Sequence, residues 1–188
     1  MAIQTLTTPS SPIDELPVYQ YQDLFTWRLG QGCNNNVFAL NRHHVARVKK
    51  PLQWSPDSEE ERLRRTKKAY DVVVDAYESG IPVPEPVGVF QVRIVYERNL
   101  FGLFYRVKPA VVVKRVRGIR GDRAKGDLAG RVSELHENLK NIVRNKGFLW
   151  GDDWLRNTMY NPREGVLFLT DFDDLSRVFY HWSLDITG

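Results

Sequence analysis

A single cysteine, Cys33, stands in the 188 residues, so no intramolecular disulfide can form. There are only four histidines, and no Cys/His cluster has the spacing of a zinc site. Disulfide-stapled modules and zinc modules are thereby excluded. Both absences suit a reducing compartment, and a cytoplasmic location is the expectation. Long apolar runs are missing as well. No stretch approaches the roughly 18 residues a spanning helix needs, so no membrane span is expected. The opening segment MAIQTLTTPSSPIDELP has no basic stretch followed by an apolar core, and a Sec signal peptide is not expected. No internal repeat or low-complexity block occurs.

What is present is an ordinary globular composition, 42% hydrophobic and 27% charged. A chain of this length can bury a core without staples. The net charge is +4, and the excess is uneven. Residues 91–125 hold ten Lys or Arg against two acids, Glu97 and Asp122. Such a stretch serves equally as a solvated face or as a surface for a polyanion, nucleic acid included.

Along the chain, residues 1–17 are rich in Ser, Thr and Pro and are expected to form a flexible tail. LGQGCNNNVFAL is a Gly/Asn turn entering a strand, and a hairpin is expected of Val37–Leu40 against Val45–Lys49. A helix is expected over Ser58–Glu78, capped by Asp57 with Glu60 or by Ser55, and with three acids at its positive end. Its apolar face is expected to be Leu63, Tyr70, Val73, Val74 and Tyr77. Strands are expected at Val87–Tyr96, Leu103–Val107 and Ala110–Val116. A second helix spans about Lys125–Asn145, with the stripe Leu128, Val132, Leu135, Leu139, Ile142 and Val143 and a stop at Gly147. Asn157–Tyr160 and the strand VLFLTDF then flank a turn at NPREG. Strands and helices in two segregated parts make the fold class α+β.

The chemistry concentrates in the second part. Trp150-Gly151-Asp152-Asp153-Trp154-Leu155-Arg156-Asn157 follows the second helix and precedes a hairpin ending in Asp171-Phe172-Asp173-Asp174. Asp152 and Asn157 are five apart, and Asp171 lies nineteen beyond Asp152. A carboxylate beside an attacking hydroxyl, followed by an amide and a second carboxylate as hard oxygen ligands, suits metal-assisted phosphoryl transfer. The plainer alternative is a capped turn and solvated acids after a strand. Asp171 tells against it, because it ends an apolar strand where an unpartnered carboxylate is costly. In the first part, Gly30, Gly32, Asn35 and Val37 stand at a Gly/Asn turn, and Arg47 and Lys49 share a face of the next strand. A tight hairpin wants the same glycines, and either cation also suits an exposed hairpin surface.

This segment resembles the catalytic loop of the protein-kinase-like superfamily, in its aminoglycoside-phosphotransferase and RIO-like branch. That branch reads His-Gly-Asp-x-x-x-x-Asn, then a hydrophobic strand and Asp-Phe-Asp-Asp; here Trp150 stands in place of the His. Gly32, Asn35, Val37, Val45 and Arg47 fit the nucleotide-covering turn and strand of the small-molecule kinases. The resemblance covers Trp27 to Asp174, and only fourteen residues follow, which makes this a minimal form of YrbL-like size. It implies a two-lobed protein-kinase-like fold, with a β-rich N-lobe over 18–117 and a minimal helical C-lobe over 118–188. The cofactors it implies are ATP and Mg²⁺, with Mn²⁺ as a substitute.

The roles follow residue by residue. Asp152 is the base, and Asn157 and Asp171 are metal ligands. Gly30, Gly32, Asn35, Val37 and Arg47 (or Lys49) hold the nucleotide, with adenine at the backbone of Lys114–Val116. The carboxylate that pairs with Arg47 stays open among Glu60, Glu61 and Asp71. The implied activity is transfer of the γ-phosphate to a hydroxyl, with a Ser or Thr of a protein favoured over a small molecule. A nucleotide-binding pseudokinase or scaffold and a sugar- or antibiotic-type kinase stay open beside it. His136 is expected to be a packing or solvent-edge residue.

Overall fold

The computed structural model describes residues 16–20, 27–31, 35–51, 58–99 and 102–178. Gly32, Cys33, Ser55, Asp57 and most of the expected tail lie outside these residues. The chain divides into two compact units, Met1–Tyr70 with Pro86–Arg115 and Asp71–Glu85 with Val116–Gly188.

The first unit is built on one antiparallel sheet. Its strands are β1 (Trp27–Gln31), β2 (Asn35–Ala39), β3 (His44–Lys49), β4 (Pro86–Asn99) and β5 (Gly102–Lys114), in the order β1-β2-β3-β5-β4. The β2–β3 hairpin forms because Asn41 turns the chain: its Oδ1 accepts from the backbone N–H of His43 at 2.7 Å and of His44 at 2.8 Å. Valine-rich β5 lies inside the sheet, where branched side chains pack on both faces. The two short strands expected at Leu103–Val107 and Ala110–Val116 are one. Pro109 does not break it for a specific reason. Its partner Gln91 turns its N–H to Pro17 O (2.9 Å) and its carbonyl to Tyr19 N (3.0 Å), away from Pro109. The β3 ladder has also ended, at the pair Arg47–Val111, so the missing N–H costs no bond there.

One face of this sheet carries a core of Leu40, Ala46, Val48, Val92, Ile94, Ala110 and Val112, closed by Tyr19. Tyr19 is buried, and its hydroxyl lies 2.7 Å from His44 Nδ1.

Helix α1 (Glu59–Glu78) contributes to both units. Its cap is Ser58, whose Oγ accepts from Glu61 N at 3.1 Å; the expected caps Asp57 and Ser55 lie outside the described residues. Such a cap stabilises a helix by about 1 kcal/mol. Its buried stripe is Leu63, Thr66, Ala69, Val73 and Ala76, a run of mostly small residues. Tyr77 is exposed, against expectation, and Tyr70 and Val74 are half-buried.

The second unit has helix α2 (Asp127–Asn145), which packs against β7 (Phe148–Trp150) and β9 (Val166–Leu169). Strands β6 (Ile119–Arg120), β8 (Thr158–Asn161) and β9 form one small sheet, and β7 pairs with β10 (Leu175–Arg177) in another. Helix α2 ends at Gly147, at φ 76°, where only glycine is unstrained. Its buried positions are Val132, His136, Leu139 and Val143, while Ile142 is exposed. Arg177 Nη1 reaches Asp75 Oδ1 at 2.8 Å, which fixes β10 to the end of α1. Among the described residues, no helix is long and apolar enough to cross a membrane.

Candidate functional site

In the second unit, the turn after β7 is organised by one side chain. Asn157 closes a short 3-10 turn, Leu155–Asn157, and is buried at 8% exposure. Its Nδ2 donates to the carbonyl oxygen of Asp152 and to Asp152 Oδ2, both at 2.8 Å. Its own backbone carbonyl accepts three more bonds, from Thr170 N (2.8 Å), Thr170 Oγ1 (3.0 Å) and Asp171 N (3.2 Å). Asp152, Asn157 and Asp171, spread over twenty residues of sequence, are thus tied into one cluster. Thr158 supports the turn by donating from Oγ1 to Leu155 O at 2.7 Å.

Two further contacts set the limits of the cluster. Gly151 N donates to Asp174 O at 3.0 Å, which joins the turn to the start of β10. Phe172 is buried at 1% exposure and pins the chain between Asp171 and Asp173. Gly121 is buried against the same turn: a Cβ there would lie 2.4 Å from Thr158 Oγ1 and 2.6 Å from Leu155 O. Only glycine lets that loop approach so closely. Nothing in the sequence singles out Thr158 or Gly121. Thr170 has one signal, its place directly before Asp171.

The donor set fits a hard cation. Both Asn157 amide hydrogens serve Asp152, which leaves Oδ1 as the outward acceptor. Oxygen from Asn157 and a carboxylate from Asp171 are the donors that Mg²⁺ prefers. Among the described residues, no group of three His, Cys, Asp or Glu is arranged to hold a metal by itself. Asp152 is half-buried, and its Oδ1 lies 3.7 Å from Arg156 Nη2.

In the first unit, strand register gathers the other sequence-derived residues. Val37 stands opposite Arg47, Asn35 opposite Lys49 and Gly30 opposite Val37. Directly opposed residues share a face, so Gly30, Asn35, Val37, Arg47 and Lys49 all lie on the side away from the core of Leu40 and Ala46. Arg47 is buried at 6% exposure and Asn35 at 3%, whereas Lys49 is half-buried. Lys114 ends β5 opposite His44, so its exposed side chain lies on the other face and only its backbone matches the adenine role. Val116 follows the strand and is half-buried. Gly32 lies outside the described residues.

The acids of α1 do not sit on its buried stripe. Glu61 is committed to Arg64, with Oε1 to Nη2 at 2.7 Å, and that bond holds the Glu61 carboxyl below its ordinary value. Glu60 and Asp71 are exposed. Of the basic stretch 91–125, Arg120 is paired with Asp122 at 2.5 Å. The ammonium of Lys108 is held below its ordinary pKa by burial first and then by Arg62 and Arg106.

No protein-family model and no curated protein matches the chain in sequence. Solved structures match it in fold. The Rio2 kinase–ADP/Mg²⁺–phosphoaspartate complex from Chaetomium thermophilum superimposes with a TM-score of 0.54 at 15% identity, over 81% of this chain and 49% of that one. A 2.2 Å structure of WbdD gives 0.51 at 16% identity, over 82% of this chain and 34% of WbdD. WbdD with the kinase inhibitor LY294002 gives 0.50 at 14% identity, over 80% and 33%. The chain therefore spans a third to a half of the length of these proteins. The fold is α+β and protein-kinase-like, with a β-rich sheet unit and few helices.

Proposed function

We propose that this chain is an ATP-dependent phosphotransferase of the protein-kinase-like superfamily, in its aminoglycoside-phosphotransferase and RIO-like branch and in minimal form. The observation that carries the reading is the Asn157 hub, which ties Asp152 to Asp171 on a kinase-like fold. Asp152 accepts the proton of the attacking hydroxyl, held in place by the Asn157 amide. Asn157 Oδ1 and Asp171 would hold Mg²⁺, with Mn²⁺ able to replace it. When bound, the ion supplies charge neutralisation on the phosphates. In the first unit, the buried guanidinium of Arg47 offers a planar fork to phosphate oxygens, with Lys49 beside it on the strand. Gly30, Gly32, Asn35 and Val37 would cover the nucleotide, and the backbone near Lys114–Val116 would take adenine.

The γ-phosphate acceptor is a hydroxyl, with a protein Ser or Thr favoured over a small molecule. The 91–125 stretch would serve a polyanion only as a secondary partner. Division of the chain into a nucleotide lobe over 18–117 and a catalytic lobe over 118–188, and a cytoplasmic setting, belong to the same reading.

One observation favours a second reading, a nucleotide-binding pseudokinase. The buried stripe of α1 contains no carboxylate, and Glu61 is already bonded to Arg64. A kinase that positions its phosphate-binding cation uses such a carboxylate. The two readings separate in one experiment: transfer of labelled γ-phosphate from ATP with Mg²⁺, for the intact chain and for Asp152→Ala. Incorporation that Asp152→Ala abolishes supports the phosphotransferase. Magnesium-dependent ATP binding with no transfer by either protein supports the pseudokinase.

A further inference from the structure

Helix α2 meets the Asp152 turn through His136. This residue is 7% exposed and occupies the buried stripe between Val132 and Leu139. Its ring packs edge-to-face on Trp150, with centroids 5.4 Å apart and planes at 77°. It lines an open groove together with Asp153. Trp150 and Asp153 bracket Gly151 and Asp152, so a single imidazole packs on one flank of the proposed base and shares a groove with the other.

One turn along α2, Lys140 Nζ lies 2.6 Å from Glu137 Oε1 and 3.9 Å from Asp153 Oδ2. These groups line an open groove of about 340 Å³ with Ser133 and Trp154. Its charges are committed to one another, which leaves little to hold a charged ligand. Two buried atoms there have no hydrogen-bond partner, Nε2 of His136 and Nε1 of Trp150. With the ring proton on Nδ1, Nε2 is an acceptor and the indole N–H a donor, on two rings already in contact.

We infer that His136 is the positioning residue of the Asp152 turn, holding Trp150 so that Asp152 meets its acceptor in register. The inference rests on the phosphotransferase reading for its effect on rate, but its effect on the turn does not. His136 acts in its neutral form. A protonated ring would face the Lys140 ammonium on α2, with Glu137 and Asp153 as the opposing charges, and would lose Nε2 as an acceptor. Trp150 brings no ionisable group.

The test compares the intact chain with His136→Phe, which keeps a ring on Trp150 but removes both nitrogens, with His136→Gln, which restores a donor and an acceptor, and with His136→Ala. For His136→Phe and His136→Ala the account expects kcat to fall about 10–100-fold, the cost of a slightly misplaced group. KM for ATP should stay within about twofold. His136→Gln should recover part of kcat. Amide hydrogen exchange at Gly151–Asp153, measured without ATP, should speed up about tenfold in His136→Phe and His136→Ala. Unchanged exchange in His136→Phe overturns the inference whatever the activity. So does a rise in KM with kcat unchanged. Faster exchange in a chain that never transfers phosphate would instead retain the anchoring role and remove the phosphotransferase reading.

Discussion

The two groups of candidate residues are placed by different physics. In the first unit, Gly30, Asn35, Val37, Arg47 and Lys49 reach one face because strands alternate and their register is set. In the second, Asp152, Asn157 and Asp171 belong to no regular pattern. One buried residue gathers them, Asn157, whose side-chain amide donates twice to Asp152 and whose backbone carbonyl accepts from Thr170 and Asp171. A face set by register tolerates the loss of one side chain, since the ladder survives. The hub is more sensitive, because one side chain both holds Asp152 and carries a proposed metal oxygen, although the backbone carbonyl would still hold Thr170 and Asp171.

The largest effect should therefore come from Asn157→Ala. It removes the amide that holds Asp152 and one proposed metal oxygen at once. Phosphate transfer should fall about 10²-fold or more, and the chain should lose about 1–3 kcal/mol to urea through the unsatisfied buried groups. Transfer kinetics and an unfolding curve check both. A mild loss confined to KM would break the contrast between hub and face.

Next in size is Arg47→Met, which keeps the buried stem and removes the guanidinium. Loss of its charge-assisted bonds to phosphate should weaken ATP binding about tenfold or more. The β2–β3 pairing should persist, as read by amide exchange at Phe38 and Ala46. Collapse of that pairing would show that the first unit also depends on a single side chain.

The hub was legible from spacing and resemblance, since Asp152, Asn157 and Asp171 stand at separations that chemistry recognises. The face was legible from alternation. What the sequence hid was held by size or by distance. On α1, apolarity points to Tyr70, Val74 and Tyr77, but the buried stripe includes Thr66, Ala69 and Ala76 because close packing selects for small residues as much as apolar ones. The helix stands within one residue of the expected start, at Glu59 with Ser58 as its cap. Strands β7 and β10 have three residues each and pair across a gap of more than twenty, so no local periodicity marks them. His136 reads from the sequence as a packing or solvent-edge residue, but its role depends on Trp150, which arrives from another element.

A smaller effect is expected from Gly121→Ala. Its Cβ would meet Thr158 Oγ1 and Leu155 O, so the loop must retreat from the Asn157 turn. The cost should be about 1–3 kcal/mol in urea unfolding, with kcat lowered more than KM. An unchanged midpoint would mean that the hub stands without its buttress.

The smallest effect is on pH dependence. Burial, and secondarily Lys140, lowers the pKa of His136 in the folded chain. The unfolded chain then binds the proton more readily, so this contribution to stability is complete above the unfolded value of about 6.5. It is lost as pH falls from there through the lowered folded value. His136→Phe should flatten the stability profile in that window relative to the intact chain. An equal slope in both proteins would show that His136 does not titrate on unfolding.

The central claim is that Asp171, tied to Asp152 through Asn157, handles the metal of a phosphoryl transfer. The most direct measurement is ATP turnover, or autophosphorylation, with Mg²⁺ or Mn²⁺ for the intact chain and for Asp171→Ala. The account predicts metal-dependent turnover by the intact chain and its loss, by about 10²-fold or more, in Asp171→Ala. Equal rates in the two proteins, or turnover that persists without metal, would contradict it.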